Sequence, residues 1–368
     1  MKIIHGCVGL FLFAAAGVHA QEVRVDTLQA LIPTTPIPGS AHTPSDINGD
    51  GFSDLVWTNP FKHQVGYWIM GLNSSGEVER KSSVVLDMGA GNFVGAVGDF
   101  NGDGFADMVL TNADRDLVLW TNNLSGKFVA SSLAPYSSGW QLLGAGDVDG
   151  DGQDDLLWFN KGGCQFGYWL IKKGVRAGIR TIPVACGYSP VAIGYFSPNP
   201  RISIVWTSSA HDLWIWDSMG AGFRSYNVTQ TATSNVLIGF GGGVAGQGIS
   251  AIYRQNFPDG SYSTFVTYMT LGRTFDTSGH QTAFTWSSPT TESVGLPWSV
   301  GGSIISGRAP QGGALIEQQG NGSMDVCMPQ ASSPPQSGDC ASYSFPRDWF
   351  MVGAPGNGAG PRGEELTP

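Results

Sequence analysis

Oxygen-bearing side chains recur at alternate positions of a short glycine-rich stretch that occurs three times: Asp46-Ile-Asn-Gly-Asp-Gly-Phe-Ser-Asp54, Asp99-Phe-Asn-Gly-Asp-Gly-Phe-Ala-Asp107 and Asp147-Val-Asp-Gly-Asp-Gly-Gln-Asp-Asp155. Alternate carboxylates and amides across such a turn aim their oxygens at one centre. An all-oxygen donor set at flexible spacing suits Ca²⁺ rather than a transition metal. The expected ligands of the first loop are Asp46, Asn48, Asp50 and Asp54 with the carbonyl of Phe52. Those of the second are Asp99, Asn101, Asp103 and Asp107 with the carbonyl of Phe105, and those of the third are Asp147, Asp149, Asp151 and Asp155 with the carbonyl of Gln153. An EF-hand needs Glu at the twelfth loop position, where this chain has Trp57, Leu110 and Trp158. Polar turns between strands share this composition, but a bare turn has no use for four donors repeated in three copies. About three structural calcium sites are expected. Every ligand comes from the protein, so no coordination position is reserved for substrate or activated water, and no catalytic residue is assigned.

The loops must be held by the segments that follow them, and these repeat as well. After each loop comes an apolar run, Leu55–Trp57, Met108–Leu110 or Leu156–Trp158, then a polar turn around Asn59, Asn112 or Asn160. A second apolar run carries Trp68, Trp120 or Trp169 at a nearly fixed offset from the loop. Each unit therefore reads as about four short strands. The pattern outlasts the acidic ligands: residues 194–206 align with 98–110, and Trp216 falls where the earlier tryptophans stand. Weaker copies start near Gly239 and Trp298, and the opening strand of one more unit spans Trp349–Pro355.

Four-stranded units of this length complete a core by radial repetition, which makes the expected fold an all-β, single β-propeller of about seven four-stranded blades over 21–368. Six is the alternative count, if Trp349–Pro355 only completes the first blade. Val23–Leu28 is the N-terminal strand expected to help close the ring and remove free sheet edges. Tandem β-sandwiches are the competing architecture, but each would need roughly 100 residues.

With these residues in place, the stretches Gly98–Leu110 and Gly146–Trp158, with Asp46–Trp57, Trp68–Met70 and Trp169–Ile171, resemble the FG-GAP or VCBS repeat proteins. The resemblance is strong over 40–185 and weaker beyond. It implies an integrin-α-like propeller with calcium in loops at blade edges. Members of that family range from adhesion modules and lectins to domains attached to enzymes, so fold does not settle function.

Residues 1–20 read as a signal peptide: Lys2, an apolar run from Ile3 to Gly17, and a small-residue site with cleavage after Ala20. A secreted or periplasmic product is expected, with no membrane span, since no apolar run is long enough. Cys164, Cys186, Cys327 and Cys340 then form an even set for disulfides. Short separations favour Cys164 with Cys186 and Cys327 with Cys340, though three connectivities are open. The net charge of −10 argues against a nucleic-acid partner. The expected function is a calcium-stabilised binding module for a glycan (lectin-like) or for an extracellular or envelope protein (adhesion), with envelope assembly or a propeller-fold polysaccharide lyase or hydrolase as alternatives. Tyr67, Trp68, Trp120, Tyr168, Trp169, Trp214 and Trp216 could stack on sugars or pack between sheets. No Gly-x-Ser-x-Gly or His-Glu-x-x-His motif supports catalysis. Sequons at Asn73, Asn123, Asn227 and Asn321 matter only in a glycosylating host.

Overall fold

The computed structural model describes residues 31–33, 37, 43–124, 127–196, 200–210, 212–230, 235–242, 249–256, 262–278, 281–294, 298–304, 314–319, 323–327, 340–346 and 348–352, the fifth sheet and most of the sixth as backbone alone. The signal segment and the expected strand Val23–Leu28 lie outside the described residues.

Strands form wherever the sequence alternates or runs apolar between turn residues. The first sheet holds β1 (Leu55–Asn59), β2 (Gln64–Leu72) and β3 (Val78–Asp87). The second is β4 (Phe93–Gly98), β5 (Asp107–Thr111), β6 (Leu117–Asn122) and β7 (Phe128–Leu133). The third is β8 (Gln141–Gly146), β9 (Asp155–Asn160), β10 (Gln165–Lys172) and β11 (Val175–Pro183). The fourth is β12 (Ser189–Gly194), β13 (Ser203–Thr207), β14 (Asp212–Ser218) and β15 (Phe223–Gln230). The fifth is β16 (Asn235–Gly242), β17 (Ile249–Asn256), β18 (Tyr262–Phe275) and β19 (Gln281–Val294). The sixth is β20 (Trp298–Ile304), β21 (Ala314–Gln319), β22 (Ser323–Cys327) and β23 (Cys340–Ser344), after which β24 (Phe350–Val352) returns to pair with β1.

All six sheets are four-stranded and antiparallel, five of them sequential meanders and the first closed by β24, arranged as a β-propeller. Among the described residues the count is therefore six, the second of the two expected from the sequence. The C-terminal opening strand supplies β24, which completes the first sheet beside β1 and contributes Val352 opposite Val56. Strands β24, β4, β8, β12, β16 and β20 each stand at the same edge of their sheets, and β24 touches β4, β4 touches β8, and β16 touches both β12 and β20. A β-bulge recurs in five of these edge strands, between Val94 and Ala96, Leu142 and Gly144, Pro190 and Ala192, Leu237 and Gly239, and Val300 and Gly302. Bulges increase local twist and bend a strand, which suits the crowded inner edge of a radial array.

The core lies between sheets rather than within them. Val56, Tyr67, Val94 and Met108 join the first and second sheets; Ala96, Leu119, Leu156 and Trp158 join the second and third. Phe166 and Tyr168 meet Ile204 and Trp206 between the third and fourth, and Met324 and Val326 meet Trp57 and Met70 between the sixth and first. That last cluster closes the ring. The repeating tryptophans hold one register: Trp68 lies opposite Leu55, Trp120 opposite Met108, Trp169 opposite Leu156 and Trp216 opposite Ile204. The fourth unit thus keeps the frame although it lost the acids.

The Cys164–Cys186 disulfide is formed, tying the hairpin turn before β10 to the segment after β11. The backbone register sets Cys327 opposite Cys340, while their side chains lie outside the described set. No helix among the described residues is long and apolar enough to cross a membrane.

Candidate metal centre

The second and third loops run from the inner edge strands β4 and β8 into β5 and β9, the first leads into β1, and in each the first carboxylate folds the chain around itself. Asp46 Oδ1 accepts from the Gly49 N–H at 2.6 Å and its Oδ2 from the Gly51 N–H at 2.7 Å. Asp99 does the same with Gly102 and Gly104, both at 2.7 Å, and Asp147 with Gly150 at 2.6 Å and Gly152 at 2.8 Å. The fourth and sixth loop positions must be glycine because their φ angles fall between +75° and +90° in all three loops. The fifth residue, Asp50, Asp103 or Asp151, caps the N–H of Phe52, Phe105 or Gln153 at 2.9–3.0 Å.

The ninth residue closes the loop from below. Asp54 accepts from Ile47 N–H at 2.8 Å and Met70 N–H at 2.9 Å; Asp107 from Phe100 at 3.1 Å and Asn122 at 2.8 Å; Asp155 from Val148 at 2.9 Å and Ile171 at 2.8 Å. All three carboxylates are buried. Burial therefore pushes Asp54 and Asp155 up to about 8 and Asp107 up to about 7, against the pull of those backbone donors. Burial also raises Asp46 and Asp99, and brings Asp147 up to about 6. Both oxygens of each ninth residue already accept an N–H, and a carboxylate still has lone pairs to spare for a cation. Buried negative charge held by donors on one side and short of a counter-charge on the other is the chemistry a hard cation satisfies.

In the third loop, carboxylate oxygens of Asp147, Asp149 and Asp151 lie within 4.8 Å of one another, a group that could hold a metal ion. Ligands across a calcium ion stand about 5 Å apart, given bonds of roughly 2.4 Å, so the spacing fits. The first two loops carry an amide at the third position. Asn48 Nδ2 donates to Asp50 Oδ2, and Asn101 Nδ2 to Asp103 Oδ2, both at 2.9 Å. The structure thus brings the predicted residues of each loop together.

The loops are also linked to one another, which sequence reasoning missed. Ala106 N–H donates to the Asp46 carbonyl, Asp154 N–H to the Asp99 carbonyl and Ile202 N–H to the Asp147 carbonyl, each at 2.7 Å. The seventh residue of one loop covers the fourth-position glycine of the loop before: Phe105 over Gly49, Gln153 over Gly102 and Arg201 over Gly150. Asp154 adds a side-chain link, accepting from Asp99 N–H at 2.9 Å and from Tyr195 Oη at 3.3 Å, while burial and the nearby Asp99 charge push it up to about 8. Its one sequence signal is that Asp154 stands where the other loops have Ser53 and Ala106. Asp99, Asp147, Asp154, Phe105, Pro44 and Ile37 help line a cavity of about 240 Å³ beside the second and third loops.

The aromatics weighed as sugar platforms are packing residues. Tyr67, Tyr168 and Trp169 are buried between sheets, and Trp120 stacks on Phe128 with centroids 5.8 Å apart. Trp214 and Trp216 pack against the cluster between the third and fourth sheets. Arg80 lies over Trp68 and Arg176 over Trp169, each 4.5 Å from the ring centre.

The FG-GAP-like repeat family matches this chain twice, over 46–110 and 99–158. No curated protein matches it. Among solved structures, a candidate 6-phosphogluconolactonase from Bacteroides fragilis is similar over 87% of each chain at 14% identity and a TM-score of 0.45. Another from Bacteroides uniformis covers 87% of this chain and 88% of its own at 10% identity and a TM-score of 0.44. BBS1N in its complex with ARL6DN covers 87% and 84% at 13% identity and a TM-score of 0.40.

Proposed function

Because residues 46–158 belong to the FG-GAP-like repeat family, we propose that the chain is an exported β-propeller held rigid by calcium in its first three loops, serving as a binding module for an extracellular or envelope protein. The observation that carries the metal reading is the threefold recurrence of one donor geometry, ending in buried Asp54, Asp107 and Asp155. Ligands are those expected from the sequence: positions one, three, five and nine of each loop, with the seventh carbonyl. Bound calcium supplies positive charge that neutralises the buried carboxylates; the chain's own N–H groups orient them.

The Cys164–Cys186 disulfide supports an oxidising compartment and therefore export. A protein partner is favoured over a glycan because the tryptophans of the repeat pack between sheets or lie under Arg80 and Arg176, which leaves them poor sugar platforms. The test is a glycan array and a surface-protein capture run in parallel, each with calcium and with chelator. Calcium-dependent capture of a protein with a blank array supports the proposal; sugar hits competed by free saccharide make the module a lectin instead.

A further inference from the structure

The three loops differ at one place that changes their charge. In the first and second, the third residue is an amide whose Nδ2 donates to the fifth-position Asp Oδ2. In the third loop that residue is Asp149, which has no proton to donate and adds a fourth carboxylate to Asp147, Asp151 and Asp155. Asp151 Oδ2 takes a long bond from Gln153 Nε2 at 3.4 Å and a closer partner in Lys172, at the end of β10, whose Nζ lies 2.8 Å from Asp151 Oδ2 and 3.2 Å from Asp149 Oδ2. Strand register makes this position specific. Ile171 N–H bonds the ninth-position Asp155 as Met70 and Asn122 bond Asp54 and Asp107, so Lys172 corresponds to Gly71 in the first unit and Asn123 in the second. The first loop has a lysine nearby, Lys81, but its ammonium goes to Glu79 at 2.6 Å.

We propose that Lys172 is the built-in counter-ion of the third loop: it neutralises the extra carboxylate Asp149 and must leave the Asp149–Asp151 pair when a divalent cation enters, so it sets that site's affinity. This rests on the calcium reading above. Four carboxylates alone would make the third loop the tightest of the three, since affinity follows ligand charge. Lys172 restores the net charge of the other two sites. Once displaced, the ammonium stays tethered by its own strand at ~6 Å from the ion, and repulsion of a divalent charge at that distance in a water-like dielectric corresponds to about tenfold in Kd.

Calcium titration calorimetry of the full mature chain tests it. Wild type is expected to show three sites of similar Kd. Lys172→Met is expected to tighten one of them about tenfold, and Asp151→Asn removes that same site, which identifies it as the third loop. Lys172→Arg keeps the charge and the wild-type Kd. Adding Asp149→Asn to Lys172→Met returns the site to the affinity of the first two loops. Wild-type binding left unchanged by Lys172→Met overturns the counter-ion role alone. No calcium uptake by either wild type or Lys172→Met overturns the calcium reading and this inference together.

Discussion

Removing calcium should make the protein's stability fall as pH rises through the neutral range, which is the reverse of ordinary acid denaturation. In the fold, Asp54 and Asp155 hold their protons up to about 8 and Asp107 up to about 7 because burial disfavours their charge; in the unfolded chain they lose them near 3.8. Between those values the folded state binds more protons than the unfolded one, so its stability is greatest below the unfolded value and declines until the folded value is passed. Each such group contributes a ceiling of about 1.4 kcal/mol per pH unit, or about 4 kcal/mol per pH unit for three. Water entering the metal-free loops leaves roughly a third of that, a loss of ~1.4 kcal/mol and ~3 °C in Tm per pH unit. Calcium replaces the protons as counter-charge, so the loaded protein should show no such decline, and its Kd should tighten as pH rises. The assay is thermal melting followed by Trp fluorescence at pH 5.5, 6.5 and 7.5, in 1 mM Ca²⁺ and in BAPTA. A Tm in BAPTA that is flat or rises with pH would refute the assignment of these carboxylates as uncompensated buried charge.

The links between loops give a second prediction: Gly49→Ala drives a Cβ into the Phe105 ring at a φ of +75°, and should cost about 3 kcal/mol in urea unfolding. Gly76→Ala, with φ +83° but nothing within 4 Å, should cost only about 1 kcal/mol. Replacing both Cys164 and Cys186 by Ser should destabilise by about 3 kcal/mol in urea melts, the value for a loop of this size, with equal calcium binding. Met351→Asp would bury a charge in the cluster that joins the sixth and first sheets; a loss of about 4 kcal/mol, or a first unfolding step at lower denaturant, would show that β24 closes the ring. A wild-type urea profile would show that it does not.

How much of this was legible in the sequence depended on whether chemistry or geometry fixed each residue. The loops were readable because φ near +80° admits little but glycine and because every donor position needs an oxygen. Trp216 was readable because one register places it opposite Ile204. Closure was not: the sequence offers apolar segments at both ends, and only the pairing of Val352 with Val56 shows that the C-terminal one completes the first sheet. Lys172 was hidden for a related reason. Its separation from Asp149 and Asp151 along the chain says nothing until the hydrogen bond from Ile171 to Asp155 fixes which strand residue overhangs the loop.

The same distinction explains why the array loses its acids before it loses its shape. In the fourth unit Tyr195 stands where Asp99 and Asp147 do, and Arg201 where Phe105 and Gln153 do. Yet Ile202 N–H still bonds the Asp147 carbonyl at 2.7 Å, Ser218 Oγ reaches the Val148 carbonyl at 2.6 Å as Asn122 Nδ2 reaches that of Ile47 at 2.8 Å, and Arg201 Nε donates to the Asp149 carbonyl at 3.1 Å. The Ile202 N–H link requires no particular side chain, and Ser218 and Arg201 supply the others with side chains unlike those of the earlier units, so the ladder survives substitution, whereas one lost carboxylate weakens a cation site outright. The fourth unit therefore serves as the fixed wall against which the third loop folds. On the calcium reading proposed above, an ion taken up by one loop would hold in place the carbonyl that the next unit bonds, so the metal sites and the inter-blade ladder would stabilise one another through the same backbone groups.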